Sequence, residues 1–290
     1  MKKTLAAAGL PVARQALVTS GEDARRFAES VGYPIVLKPL AGLGAKNTQR
    51  VADEMALASA LNTLLPTAAS PCQAEEFVRG EEHTYETVFL NGEPVWSSST
   101  FYLPGPLEVI EHAWMQYCLL LPREQAMPHV RAFHDVNARS LATLGLVNGF
   151  SHMEWFLRAD GSPIVSEVGA RPPGANIMPL LAAAHGADPW KAWVRLEVDR
   201  VWEFPERQAA AGCAFLRGMG VGDTIQSVRG VEECTQRIGG LIHSMKLPQI
   251  GQPHSTHYEG DGWVIVRAAD THDVVDALRT VITTIECKLG

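Results

Sequence analysis

The chain has 290 residues, 46% hydrophobic and 20% charged, with a formal net charge of -7. That is the composition of a globular protein with a sizeable core. The acidic balance removes the electrostatic case for nucleic acid, and no apolar run approaches the ~18 residues of a membrane-spanning helix.

Five cysteines (Cys72, Cys118, Cys213, Cys234, Cys287) are odd in number and form no CxxC pair. This argues against a disulfide framework or structural zinc, and for a reducing, cytoplasmic setting. In chain order, "MKKTLAAAGLP" sets two lysines before a short apolar run. Pro11 and Arg14 follow at once, so the stretch does not read as a signal peptide. "GEDARRFAESVG" has apolar residues at helical spacing and a stop at Gly32. "YPIVLKP" reads as a buried strand, "LAGLGAKNT" as a glycine loop and "TQRVA" as a strand. "DEMALASALNTLL" is a helix capped by Asp53, and "CQAEEFV" is a strand. "EHTYETVFLNGEPVWSSSTFY" is a hairpin turning at Asn91-Gly92. One long helix is predicted over 122–145, a second hairpin over 152–169, and helices over 176–185 and 188–199. "EFPERQAAAG" is a candidate boundary, followed by short strands and a last helix near 271–287. No internal repeat is present. The alternation implies α+β lobes.

The second hairpin carries the first chemical question. Asp160-Gly161 predicts a two-residue turn with positive φ at both positions. That register sets Phe156 opposite Val165 and Glu154 opposite Glu167. Met153, Trp155, Leu157, Ile164 and Val168 then face the core, while His152, Glu154, Phe156, Val165 and Glu167 share the other face. Two carboxylates with β-carbons about 4.5–5.5 Å apart repel each other unless one takes a proton or a cation bridges them. Paired oxygen ligands with room for water suit magnesium. Two solvated glutamates on an open sheet face are the bland alternative.

Lys38 ends a strand before the glycine loop, where a phosphate would give it a partner. A snorkelling lysine fits equally. Lys46 lies inside the loop, either over a phosphate or on plain surface. In "EEFVRGEE" the strand around Glu75, Phe77 and Val78 has edge groups that can bind an adenine, and Glu82 can accept from ribose hydroxyls; an acidic strand edge is the alternative. His152 touches substrate or is satisfied within the sheet. The aromatic stretch from Trp96 to Tyr102 lines a pocket or a hairpin face. His254 and His257 in "PHSTH" have no acidic or cysteine partner nearby and read as loop, and Cys118 reads as core.

The ordered set "GYPIVLKPLAGLGAK", "EEFVRGEE", "HMEWF" and "SEVGARPPG" resembles the ATP-grasp superfamily over most of the chain. Within it, "HMEWF", "SEVGARPPG" and the tail "AGCAFLRGMGVGDTIQSVRGVEE" resemble the L-amino-acid ligase and biotin-carboxylase-like branch. The resemblance implies ATP between two α+β lobes, with a β-rich C-terminal subdomain. It implies Lys38 on the α/β-phosphates and Lys46 in the loop over them. Glu75, Phe77 and Val78 would line the adenine edge, Glu82 would hold ribose, and Val36 and Phe156 would sandwich the ring. Glu154 and Glu167 would bind magnesium, and Arg171 would stabilise the phosphoryl or acyl-phosphate group.

Two departures stand out. "EVGAR" has Gly169 where the family pattern has Asn for a second magnesium. The family's N-terminal α/β domain, and a further ATP-binding lysine near its junction, are expected before Met1. The expected organisation is a small lobe over 1–78, a large lobe with the ATP and magnesium site over 79–203, and a C-terminal subdomain over 204–290. The expected activity is ATP-dependent carboxylate–amine ligation through an acyl phosphate, with an amino acid or related small carboxylate as substrate. The alternatives are a carboxylase-type enzyme activating bicarbonate and a nucleotide-binding remnant. Expected partners are the carboxylate and amine substrates, and a second copy or the missing N-terminal domain.

Overall fold

A computed structural model describes residues 1–40, 47–112, 114–125 and 127–290. Helix α1 (Lys2–Ala7) is followed by β1 (Gln15–Val18), α2 (Gly21–Val31), β2 (Ile35–Pro39), β3 (Gln49–Val51), α3 (Glu54–Leu64) and β4 (Cys72–Glu76). The four strands form an antiparallel sheet in the order β1-β4-β2-β3. Helix α2 turns Ala24, Phe27 and Ala28 inward at helical spacing. Its N-cap Ser20 accepts from the Asp23 N–H, a contact of about 1 kcal/mol. Asp53 caps α3 in the same way, accepting from Ala56. The two helices cover Ile35, Leu37 and Ala74. Strand alternation therefore puts Val36, Lys38, Gln73 and Glu75 together on the opposite face.

The first thirteen residues pack elsewhere. Leu5 and Leu10 share a core with Phe133 and Trp155, and Val12 bridges Val165 in parallel. The segment expected to open the small lobe is thus anchored in the large one.

The large lobe adds β5 (Glu81–Leu90), β6 (Glu93–Leu103), α4 (Pro106–Glu111), β7 (Tyr117–Leu121), α5 (Pro128–Thr143), β8 (Gly149–Leu157), β9 (Pro163–Gly169), α6 (Ile177–His185) and α7 (Pro189–Asp199). Then come β10 (Ala210–Leu216), β11 (Gly218–Met219), β12 (Ile225–Arg229), α8 (Val231–Ile238), β13 (Ile242–Lys246), β14 (Gly262–Ala268), α9 (Thr271–Thr284) and β15 (Glu286–Leu289). One antiparallel sheet runs β13-β14-β10-β7-β6-β5-β8-β9, so the sheet continues across residue 204. A separate sheet, β11-β15-β12, joins the chain's end to the tail. One face of the main sheet packs on α1 and α5 at one end and on α8 and α9 at the other. Its second face packs on α6 through Val88, Leu119, Leu121 and Phe150. Further along the same strands that face turns polar, where it meets the small lobe.

The Asn91-Gly92 turn has the expected positive φ at both residues, 55° and 83°, with Leu90 paired to Glu93. The helix predicted from 122 starts at Pro128, whose fixed φ and missing N–H suit the first helical turn. The last helix stops at Thr284 because Glu286–Leu289 pair with β12. Strands β1 and β7 and helices α4 and α8 were not expected. His254 also departs from expectation: its Nδ1 lies 3.0 Å from Asp261 Oδ2. Buried Asp261 also accepts from the Gly218 and Ser255 N–H groups, so this cluster fastens a loop.

The β8–β9 hairpin is corrected in two places. Its turn is a three-residue loop, Ala159 to Gly161, closed by Arg158 N–H donating to the Ser162 carbonyl, with Gly161 at φ 80°. Asp160 Oδ1 accepts from the Ser162 N–H, which favours this type I turn with a glycine bulge. The longer loop shifts the register, so Trp155 pairs with Val165 and Phe156 with Ile164. Val165 therefore enters the core and Ile164 joins Phe156, the reverse of the expectation. A bulge at Ser166 then restores the register, and Glu154 pairs with Glu167.

Candidate functional site

A cleft of about 1250 Å³ lies between the lobes. Val36, Lys38, Glu75, Phe77, Val78, Glu82, His152, Glu154, Phe156, Glu167 and Arg171 all line it. Lys46 lies outside the described residues. Alternation explains the convergence. Val36, Lys38 and Glu75 come from the uncovered face of the small sheet, while Glu82, His152, Glu154 and Phe156 come from the polar face of the large one.

A charged triad joins the small-lobe wall to α1 of the large lobe. Lys38 Nζ lies 3.1 Å from Glu75 Oε1, and Lys2 Nζ lies 2.5 Å from Glu75 Oε2. Burial works against the Glu75 charge, but the two lysines hold its carboxyl below the usual range. The Glu75 side chain is therefore engaged by lysines, and the triad carries a net positive charge into the cleft. Lys2 was not read from the sequence as a cleft residue. Its only signal was a lysine in the first turn of a helix whose neighbour Leu5 is core. Beyond the triad, the Phe77 N–H donates to the Pro34 carbonyl, and the Arg50 guanidinium lies 5.5 Å from the Phe77 ring centroid. On the opposite wall Phe156 packs with Ala13, Val78 and Ile164. Val36 and Phe156 thus give the cleft apolar surface on both walls.

The large-lobe wall is acidic. Tyr102 donates to Glu154 Oε1 at 3.1 Å, and His152 Nε2 sits 3.7 Å from the same oxygen. His152 Nδ1 is 2.8 Å from Glu86 Oε1. Burial opposes the imidazolium, but its bonds and charge pairing with Glu154 and Glu86 raise His152 to about 9. Burial likewise opposes the Glu154 charge, and His152, Tyr102 and Lys38 outweigh it, leaving that carboxyl below its ordinary range. Glu82 goes the other way. Burial and the nearby Glu154 charge push it well up, with Lys38 opposing only in part. The neighbouring carboxyls are pushed apart, Glu82 upward by burial and Glu154 downward by its partners. A β-carbon at Gly105 would come within 2.7 Å of Glu82 Oε2, so glycine lets the entry to α4 lie against this carboxyl.

Glu154 and Glu167 suit a divalent cation. The protein contacts to Glu154 fall on Oε1, which leaves Oε2 for an ion, and Glu167 is exposed directly opposite. Among the described residues no group of three or more His, Cys, Asp or Glu forms a metal cage. An ion here would take two protein carboxylates and leave its other positions to water or phosphate, as suits magnesium. At the end of β9 a β-carbon on Gly169 would lie 3.3 Å from Arg171 Cγ and Nε. The bare backbone lets Arg171 fold across the strand end, where Nη1 donates to the Pro172 carbonyl at 2.9 Å. Tyr102 and Tyr258 also line the cleft. Tyr258 arrives from the tail, which no local motif announces.

Residues 1–89 match the model for the carbamoyl-phosphate synthase L chain, ATP binding domain. The large chain of carbamoyl phosphate synthase from Micrococcus luteus is 25% identical over 196 residues, which covers 66% of this chain and 17% of that protein. The chain thus spans about a sixth of the curated relatives it matches. The L-amino acid ligase from Bacillus licheniformis superposes with a TM-score of 0.76 at 20% identity, over 99% of this chain and 70% of that one. The fold is ATP-grasp. A third ATP-grasp likeness is the biotin carboxylase domain of the Hydrogenobacter thermophilus 2-oxoglutarate carboxylase, described as a complex with MgADP. It has a TM-score of 0.67 at 16% identity, over 99% of this chain and 65% of that one. The chain therefore has the ATP-grasp fold, of the α+β class. No helix among the described residues is long and apolar enough to cross a membrane.

Proposed function

We propose that this ATP-grasp domain is an ADP-forming carboxylate–amine ligase that uses magnesium and ATP, with an amino acid or related small carboxylate as substrate. One observation carries the reading. A single cleft holds the Lys38–Glu75–Lys2 triad on one wall, and the opposed Glu154 and Glu167 with Arg171 on the other. The positive triad suits phosphates, and the apolar surface at Val36 and Phe156 suits a flat base. Glu154 and Glu167 would hold magnesium, which supplies charge neutralisation on the transferred phosphoryl group. Arg171 is permanently charged, exposed beside the carboxylate pair, and able to bind an acyl phosphate through two N–H groups. Positioning and charge neutralisation then account for most of the catalysis, with no nucleophilic side chain required. The likeness to an L-amino acid ligase over nearly the whole chain favours an amino acid as one substrate.

The test is steady-state ADP release with Mg·ATP and a panel of amino acids, singly and in pairs, with bicarbonate as a separate arm. Release that depends on an amino acid pair, with the ligated product seen by mass spectrometry, supports the ligase. Release driven by bicarbonate alone would make it a carboxylase-type enzyme. Nucleotide binding without release under any condition would make it a remnant.

A further inference from the structure

Three strands place a row of polar side chains at right angles to the chain. Ser98 on β6 pairs with Glu86 on β5, and Glu86 pairs with His152 on β8. The next row along β8 holds Glu154, opposite Glu167. Glu86 has no exposure to solvent and is not one of the cleft-lining residues. A buried carboxylate that touches no ligand is costly unless it is paired. Its Oε1 is 2.8 Å from His152 Nδ1, while its Oε2 has no hydrogen-bond partner among the described residues. Arg207 closes the far end of the row, with Nη2 donating to Ser98 Oγ at 2.5 Å.

We propose that Glu86 is a positioning residue: by fixing the His152 ring through Nδ1 it aims Nε2 at Glu154 Oε1, and so orients the Glu154 carboxylate for its cation. The argument is geometric. An imidazole bonded at Nδ1 to a buried carboxylate cannot rotate or flip without breaking that bond, so Nε2 stays on the Glu154 side. Tyr102 and His152 then both engage Oε1, and the second oxygen is presented to the ion. Partners one step behind a ligand commonly change metal affinity 10- to 100-fold. A rival account makes Glu86 only a counter-charge for Arg207, in which case removing it would alter stability and leave the ion alone.

The proposal rests on the metal role given to Glu154 above, and the experiment separates the two. Mn2+ is titrated into the full chain with a non-hydrolysable ATP analogue, and free Mn2+ is followed by electron paramagnetic resonance. The variants are Glu86→Leu, Glu86→Gln, His152→Leu and the double variant Glu86→Leu/His152→Leu. We expect Glu86→Leu to bind Mn2+ about 10- to 100-fold more weakly. Glu86→Gln, which keeps an acceptor for Nδ1–H, should return to within about threefold. The double variant should match His152→Leu, because Glu86 acts through that ring. Affinity in Glu86→Leu within twofold of wild type overturns the proposal and leaves the metal reading intact. Absence of Mn2+ binding in the wild type overturns both. Should Glu86→Leu alone fail to fold, His152→Leu against the double variant decides: equal affinities support the proposal, and a further tenfold loss overturns it.

Discussion

Lys2 and Glu75 meet across the two lobes. Lys2 sits on α1, whose Leu5 is packed in the large-lobe core, yet its Nζ lies 2.5 Å from the Glu75 carboxylate on the small-lobe strand β4. Lys38 approaches the other oxygen of the same carboxylate. One buried glutamate thus ties the lobes together and places two ammonium groups at the cleft. Replacing it leaves a buried lysine without a counter-charge. Glu75→Leu is expected to lose about 3–5 kcal/mol of stability, read from urea melts. A variant as stable as wild type would show that Lys2 finds water in place of Glu75.

Gly80 sits at the crossing from β4 to β5, and a β-carbon there would lie 2.5 Å from the Leu157 carbonyl oxygen and 3.0 Å from its carbon. Backbone atoms in a paired strand cannot step aside as a flexible side chain can. Gly80→Ala is expected to cost about 1–3 kcal/mol and to displace Glu82 two residues on. Thermal unfolding reads the first effect, and nucleotide affinity the second. Unchanged values for both would mean that the crossing relaxes freely.

Two buried imidazoles contribute to the loss of stability in acid. Burial and the nearby His129 lower His83 to about 4. Burial also lowers His185 to about 4, with its bond to the Pro205 carbonyl opposing and Arg207 adding to the shift. Unfolded histidine titrates near 6.5, so below that pH the unfolded chain binds more protons than the folded one. The contribution is complete above about 6.5, and is lost as pH falls toward about 4. For one fully buried ring it amounts to roughly 3 kcal/mol. His83→Phe should flatten the decline in denaturation midpoint between pH 6.5 and 4. An equally steep decline in the variant would assign the slope to other groups.

Arg171 lies over Gly169, and the space above that glycine is narrow. Gly169→Asn should push the guanidinium away and lower kcat with little change in melting temperature or ATP affinity. The readout is a comparison of kcat and KM for ATP. An unaltered kcat would show that Arg171 does its work from another position.

Much of this was legible because strand alternation is a strict rule. Glu154 and Phe156 could be put on their face from period two alone, and the asparagine–glycine and aspartate–glycine turns fixed where the hairpins reverse. The second hairpin shows the limit. Its turn took three residues where two were expected, and the bulge at Ser166 cancelled the error, so the Glu154–Glu167 pairing was anticipated while Ile164 and Val165 were exchanged. Bulges depend on packing against the rest of the sheet, which no local pattern records. Lys2, Glu86 and Tyr258 were missed for a related reason. Each gains its place from an element distant in sequence: Lys2 from β4, Glu86 from β8, and Tyr258 from the tail that extends the main sheet.

The central claim is that one cleft binds magnesium and ATP together, through Lys38 on one wall and Glu154 with Glu167 on the other. Isothermal titration calorimetry with a non-hydrolysable ATP analogue tests it directly, with and without Mg2+, on wild type, Lys38→Ala and Glu167→Gln. The expected result is Mg2+-dependent binding to wild type. Lys38→Ala should weaken it at least about tenfold, the ~1.5–3 kcal/mol of a charged hydrogen bond, and Glu167→Gln should lose most of the Mg2+ dependence. Equal affinity in all three proteins, or binding indifferent to Mg2+ in the wild type, would contradict the account.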